Sequence, residues 1–140
     1  MTIQLELIDY SLTDRTWWRE VMSLLLRPGE AFELRCWREE TECIRRACRL
    51  GALCPEQSTD YEVSVTGVLT PEVIRALLES AGPEDADGST EFFTIRSSHI
   101  SSSHYGRELY LFDPPEQAAE QVDAIILPLR DSFIYGPVEP

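Results

Sequence analysis

The segment Glu91–Phe112, EFFTIRSSHISSSHYGRELYLF, constrains the fold more than any other. Phe92–Ile95 and Leu109–Phe112 are apolar and aromatic, as strands are. Between them lies a polar stretch with five serines and both histidines of the chain. That stretch has no helical period, so the two ends are expected to pair as an antiparallel hairpin. A purely parallel, doubly wound sheet is excluded, because it requires a crossover helix between Phe93 and Leu109.

The remainder alternates strand and helix. Ile3, Leu5 and Leu7 alternate with more polar positions and predict a strand over Thr2–Asp9. Ser11 and Asp14 form a capping-box-like start to a helix whose apolar stripe is Trp17, Trp18, Val21, Met22 and Leu25. A core position is the simpler reading of the paired tryptophans. Glu30–Trp37 reads as a second strand and Glu39–Leu50 as a second helix, with acids first and arginines last. Leu53–Asp60 reads as a loop and Tyr61–Leu69 as a third strand. Thr70-Pro71-Glu72 is the clearest helix start, since Thr caps and Pro at the first position gives up no hydrogen bond. Asp113 is expected to cap a last helix with Ala118, Val122, Ile125 and Ile126 on its apolar face. Ser132–Tyr135 offers a short edge strand. The expected fold is therefore α+β, with a mixed or mainly antiparallel sheet of about five strands and about four helices.

At 140 residues the chain is read as a single domain, 1–140, with an acidic, turn-rich loop at 82–90. No apolar run reaches the roughly 20 residues of a membrane span, and the N-terminus lacks the pattern of a signal peptide, so a cytoplasmic location without membrane contact is expected. The net charge is −13, and residues 52–140 hold 16 acids against 4 arginines. That balance argues against nucleic-acid binding, which needs clustered cations. There is no lysine, and arginine, whose planar fork suits carboxylates, makes fixed ion pairs more favourable than lysine would. Cys36, Cys43, Cys48 and Cys54 fit no zinc spacing and read as small hydrophobes. No metal site and no cofactor are expected: there is no Gly-rich phosphate loop, and Asp85–Ser89 lacks the full calcium-loop pattern.

The candidate chemistry lies in the opening segment. His99 and His104 are five apart and fall on opposite faces of a straight strand. A bend near Ser101–Gly106 would be needed to bring both imidazoles together. Tyr105, Arg107 and Glu108 follow His104, and Gly106 offers a bulge that re-aims its neighbours. Tyr and Arg are enriched at interaction hot spots, and small hydroxyls suit adaptable contacts. His99, His104, Tyr105, Arg107 and Glu108 are therefore read as binding residues, and no catalytic residue is assigned.

The acidity of residues 52–140, the W-R-E-E-x-E segment Trp37–Glu42 and the H-Y-G-R-E segment His104–Glu108 resemble the small acidic immunity proteins that bacteria pair with secreted toxins. The resemblance is one of class and carries over no functional residue. The leading expectation is a non-catalytic acidic module that binds a protein partner, basic in character, with toxin neutralisation as its sharpest form. Two alternatives stand beside it. One is a small hydrolase-like enzyme using His99 or His104 with a neighbouring Ser or Tyr105. The other is a self-associating structural subunit using the edge near Ser132–Tyr135. A monomer and a homodimer are both open.

Overall fold

The computed structural model describes residues 1–80 and 90–138. Most of the expected acidic loop, 82–89, lies outside them. The strands are β1 (Thr2–Leu7), β2 (Ala31–Trp37), β3 (Ala52–Leu53), β4 (Glu62–Val68), β5 (Thr94–Arg96), β6 (Ile100–Ser103), β7 (Glu108–Phe112) and β8 (Phe133–Pro137). The helices are α1 (Thr16–Leu25), α2 (Thr41–Ala47), α3 (Pro71–Glu79) and α4 (Glu116–Ile126), and a 3₁₀ turn covers Leu127–Ser132. All eight strands join one antiparallel sheet in the order β3-β4-β2-β5-β6-β7-β1-β8. The α+β class and the four helices agree with expectation. The sheet has eight strands rather than about five, and no parallel pair among the described residues.

The largest departure is β6. Glu91–Phe112 is not one hairpin but three strands, because the polar middle itself supplies Ile100–Ser103. Hydrogen bonds to β5 on one side and β7 on the other support a strand whose sequence, ISSS, has little hydrophobic alternation. The added β3 is two residues long, with both side chains exposed, and leaves no periodic signal. The expected edge strand is present as β8, paired with β1.

Directly opposed residues in an antiparallel sheet share a face. One such row crosses the whole sheet: Leu53, Val65, Leu34, Ile95, Ser102, Leu109, Leu5 and Tyr135. It lies on the face covered by helices. Trp17, Trp18, Val21, Met22 and Leu25 of α1 are buried there, with Leu77 of α3 and Ala118, Val122 and Ile126 of α4. Ala47 of α2 joins the same core. Both tryptophans are therefore core, and Trp17 packs edge-on to Phe133 at 4.7 Å between ring centroids.

Ser102 is a polar exception in an otherwise apolar stretch of that row. Its hydroxyl accepts the indole N–H of Trp18 at 3.0 Å, in full burial. A buried indole donor needs such a partner.

Helix starts follow local chemistry, with shifts. Thr70 caps α3 as expected, its hydroxyl accepting the Val73 N–H at 3.1 Å. α1 starts at Thr16 rather than near Ser11, because the Asp14 carboxylate takes the N–H and hydroxyl of Thr16 at 2.9 and 2.7 Å. Asp113 does not cap α4. It has a positive φ of 42° and pairs with the Met1 amino group, while Pro115 stands at the cap. α2 covers only Thr41–Ala47 of the expected 39–50.

The Trp18–Ser102 bond gives a direct expectation. Ser102→Ala leaves the indole N–H buried without an acceptor and lowers stability by about 1–3 kcal/mol. In urea unfolding, Trp18→Phe combined with Ser102→Ala costs less than the two single changes summed. Strict additivity would remove the bond from the account.

Candidate functional site

The site is built on the turn between β6 and β7. His104, Tyr105 and Gly106 have φ of 53°, 58° and 86°, three left-handed residues in succession. Two of them are not glycine, and each such residue costs about 1–2 kcal/mol. Gly106 answers two demands. Its φ suits glycine, and a Cβ there would lie 2.5 Å from Thr90 Cγ2 and 3.1 Å from Trp18 Nε1.

Surrounding bonds hold the turn in this conformation. Tyr105 N–H donates to the Phe93 carbonyl at 3.2 Å, and its own carbonyl accepts from Thr90 N–H at 2.8 Å. Gly106 N–H closes back on Ser103 O at 3.1 Å. The Tyr105 hydroxyl donates to Glu40 Oε2 at 2.9 Å, while Glu40 Oε1 accepts the Trp37 N–H at 2.8 Å. Strained backbone persists only where neighbours over-determine it, and such places concentrate at functional sites.

The result is an aromatic patch at one end of the sheet. The Phe93 ring lies at the centre, 4.9 Å from Trp37, 5.3 Å from Tyr105 and 5.5 Å from His104. The contacts to Tyr105 and His104 are edge-on, the favoured geometry for opposed ring quadrupoles. Trp37, Phe93, Tyr105 and Glu40 are half-buried and His104 is exposed. Burial, then the Glu40 carboxylate, pushes the Tyr105 phenol well above its ordinary value. The phenol is thus a fixed hydrogen-bond donor near neutral pH. Beneath the patch, burial pushes the Cys36 thiol up to about 12 and also raises Cys43. These thiols are poor nucleophiles.

Of the five residues read as binding residues, the turn brings His104 and Tyr105 together. His99 lies at the other end of β6, where its Nδ1 is 2.8 Å from the Phe112 carbonyl. The four residues of β6 lie between the two histidines, about 13 Å of extended chain. The left-handed turn begins at His104, just after β6, and that imidazole is exposed. Arg107 turns to the Tyr10 ring, with its guanidinium carbon 4.7 Å from the centroid. Glu108 lies on the sheet face opposite the helices, across from Glu6 of β1. Trp37, Phe93 and Glu40 belong to the site although sequence reasoning did not select them. The one available signal was the W-R-E-E segment, whose Trp37 ends a strand and whose Glu40 precedes a helix.

The strand edge at β8 is blunted. Ile8 N–H donates to Ser132 O and Val138 N–H to Thr2 O, so even-numbered residues of β8 face β1. Phe133, Tyr135 and Pro137 turn their backbone outward. Phe133 N–H is returned to Arg130 O, and Pro137 has none. Tyr135 is left as the outward amide donor of this strand, which is how natural edges limit pairing.

Among the described residues no group of three or more His, Cys, Asp or Glu side chains is arranged to hold a metal ion, and no helix is long and apolar enough to cross a membrane. Comparison with known proteins returned no matching family model, no matching curated protein and no matching solved structure.

Two measurements check the turn. Gly106→Ala adds a strained φ and a steric conflict, and lowers stability by about 2–4 kcal/mol in urea unfolding. Tyr105→Phe tests the phenol. Its pKa is raised above 10.0 in the folded state, so the unfolded chain loses the proton first as pH rises. Its contribution is complete below pH 10 and is lost as pH climbs toward the folded value. The alkaline limb of stability against pH is accordingly shallower in Tyr105→Phe than in the parent. Equal slopes would dissociate Tyr105 from Glu40.

Proposed function

We propose that the protein is a non-catalytic acidic module that binds another protein, with toxin neutralisation as the sharpest form of the role. The observation that supports the reading is the left-handed turn His104–Gly106, which places an exposed imidazole and a half-buried, hydrogen-bonded phenol at one end of the sheet. A contact surface benefits from such fixing, because side chains ordered before binding lose less entropy on association. Tyr and Trp anchors surrounded by polar groups are the composition of interface hot spots. The acidity of the chain adds long-range attraction for a basic partner.

Partner capture on immobilised protein tests the reading. The parent chain retains a protein that Trp37→Ala and Tyr105→Ala lose, and the retained amount falls as salt rises. Retention of nothing, or of the same protein by all three forms, overturns the assignment of the patch.

A further inference from the structure

The sheet has a second face, and among the described residues no helix lies on it. Its two halves are electrically different. On the β2–β4 half every carboxylate is answered. Arg35 donates to Glu62 at 2.8 Å and to Glu33 at 2.7 Å, and the Ser64 hydroxyl adds a 2.5 Å bond to Glu33. On the β6–β7–β1 half, the side chains on this face are Ser101, Ser103, Glu108, Tyr110, Phe112, Thr2, Gln4 and Glu6, with no cation among them. Glu6 and Glu108 stand directly opposite one another in the register. Neither takes part in a salt bridge among the described residues. Each has a neutral donor instead: Gln4 Nε2 lies 3.4 Å from Glu6 Oε1, and Tyr110 hydrogen-bonds to Glu108.

Like charges in directly opposed positions work against the sheet. A chain whose cationic side chains are arginines placed Arg35 between two acids on the same face and Arg96 opposite Glu33, but none directly beside Glu6 and Glu108. The relief of shape matches the charge. Thr94 and Ser101 are 5% and 3% exposed although no described helix covers them. Short hydroxyl side chains, Thr94 of β5 with Ser101 and Ser103 of β6, form a low strip that ends at Arg96, which stands on the same face opposite Glu33 and Ser101. Longer residues flank it, Arg35 and Trp37 on one side and Glu108 and Tyr110 on the other. The trough runs toward the aromatic patch at Phe93.

We propose that this helix-free face is the docking surface for an arginine-bearing segment of a basic partner protein, with one guanidinium seated between Glu6 and Glu108 over the Tyr110 ring. The inference rests on the protein-binding reading above and names the chemistry of the partner. Carboxylates on opposed residues of neighbouring strands lie close enough for one planar guanidinium to bond both, and the phenol offers a face for stacking. Lysine, a point charge, cannot match that fork. The like-charge pair then costs stability in the free protein and is relieved on binding.

The test uses the full chain and acetylated tetra-arginine amide as probe, with tetra-lysine amide for comparison. NMR titration is expected to move the Tyr110 ring and the Glu6 and Glu108 side-chain resonances first, with tetra-arginine binding more tightly than tetra-lysine. Glu6→Gln with Glu108→Gln weakens tetra-arginine by about ten-fold or more. Glu79→Gln with Glu120→Gln, an equal loss of charge on exposed helix positions, changes it by less than about two-fold. The midpoint of thermal unfolding rises in Glu108→Gln, which also shows that the variant folds. Equal weakening by both pairs, shifts spread over all acidic surfaces, or a lower unfolding midpoint overturns the proposal. The outcomes separate from those of partner capture. A trough that selects arginine while capture retains nothing removes the protein partner and leaves the trough. A captured protein indifferent to Glu6 and Glu108 does the reverse.

Discussion

One buried hydrogen bond ties the helical layer to the sheet at the point where the candidate site begins. Trp18 of α1 gives its indole N–H to Ser102 of β6, inside a core that is otherwise apolar at that level. A hydroxyl in that position is costly unless it is bonded, and so is the indole. Together they fix which residue of a serine run points inward. The two-residue period then sends Ser101 and Ser103 to the opposite face. The same indole is neighbour to Gly106, where any side chain would collide with Thr90 and approach Trp18. The geometry of the turn is thereby linked to the packing of α1.

That linkage explains how two non-glycine residues remain left-handed beside Gly106. The turn is held by backbone bonds to Phe93 and Thr90, by the Tyr105–Glu40 bond, and by three rings around Phe93. Each contribution is modest, but they share the same few residues, so loss of one loosens the others.

The sheet divides its labour by face. One face is buried by α1, α3 and α4 and gives stability. The other keeps polar side chains on β1, β2, β4, β5, β6 and β7 and solves its electrostatics unevenly, with Arg35 bridging Glu33 and Glu62 on one side and Glu6 opposed to Glu108 on the other. A single antiparallel sheet can remain half-solvated in this way, whereas a parallel one requires cover on both faces. The blunted edge at β8 and the two-residue β3 complete the picture, since neither offers a long row of free amides.

The amino-acid sequence by itself determined the α+β class, the four helices and much of the core, and left the sheet as mixed or mainly antiparallel. Those follow from local periodicity: the stripe of α1, the alternation of β1, β2 and β4, and the Thr70-Pro71 start of α3 are each written in a few adjacent residues. Tertiary structure decided the number of strands. β6 exists because β5 and β7 supply its hydrogen bonds, and β3 because β4 does, and neither requirement leaves a pattern in the short strand itself. It also decided the site. His104 and Tyr105 were legible as unusual polar residues. Their union with Trp37, Phe93 and Glu40, and their separation from His99, depend on contacts between residues far apart in the chain. So does the opposition of Glu6 and Glu108, which are 102 positions apart in sequence and directly opposed in register. No local propensity encodes a pairing of that kind. It appears only when the sheet closes.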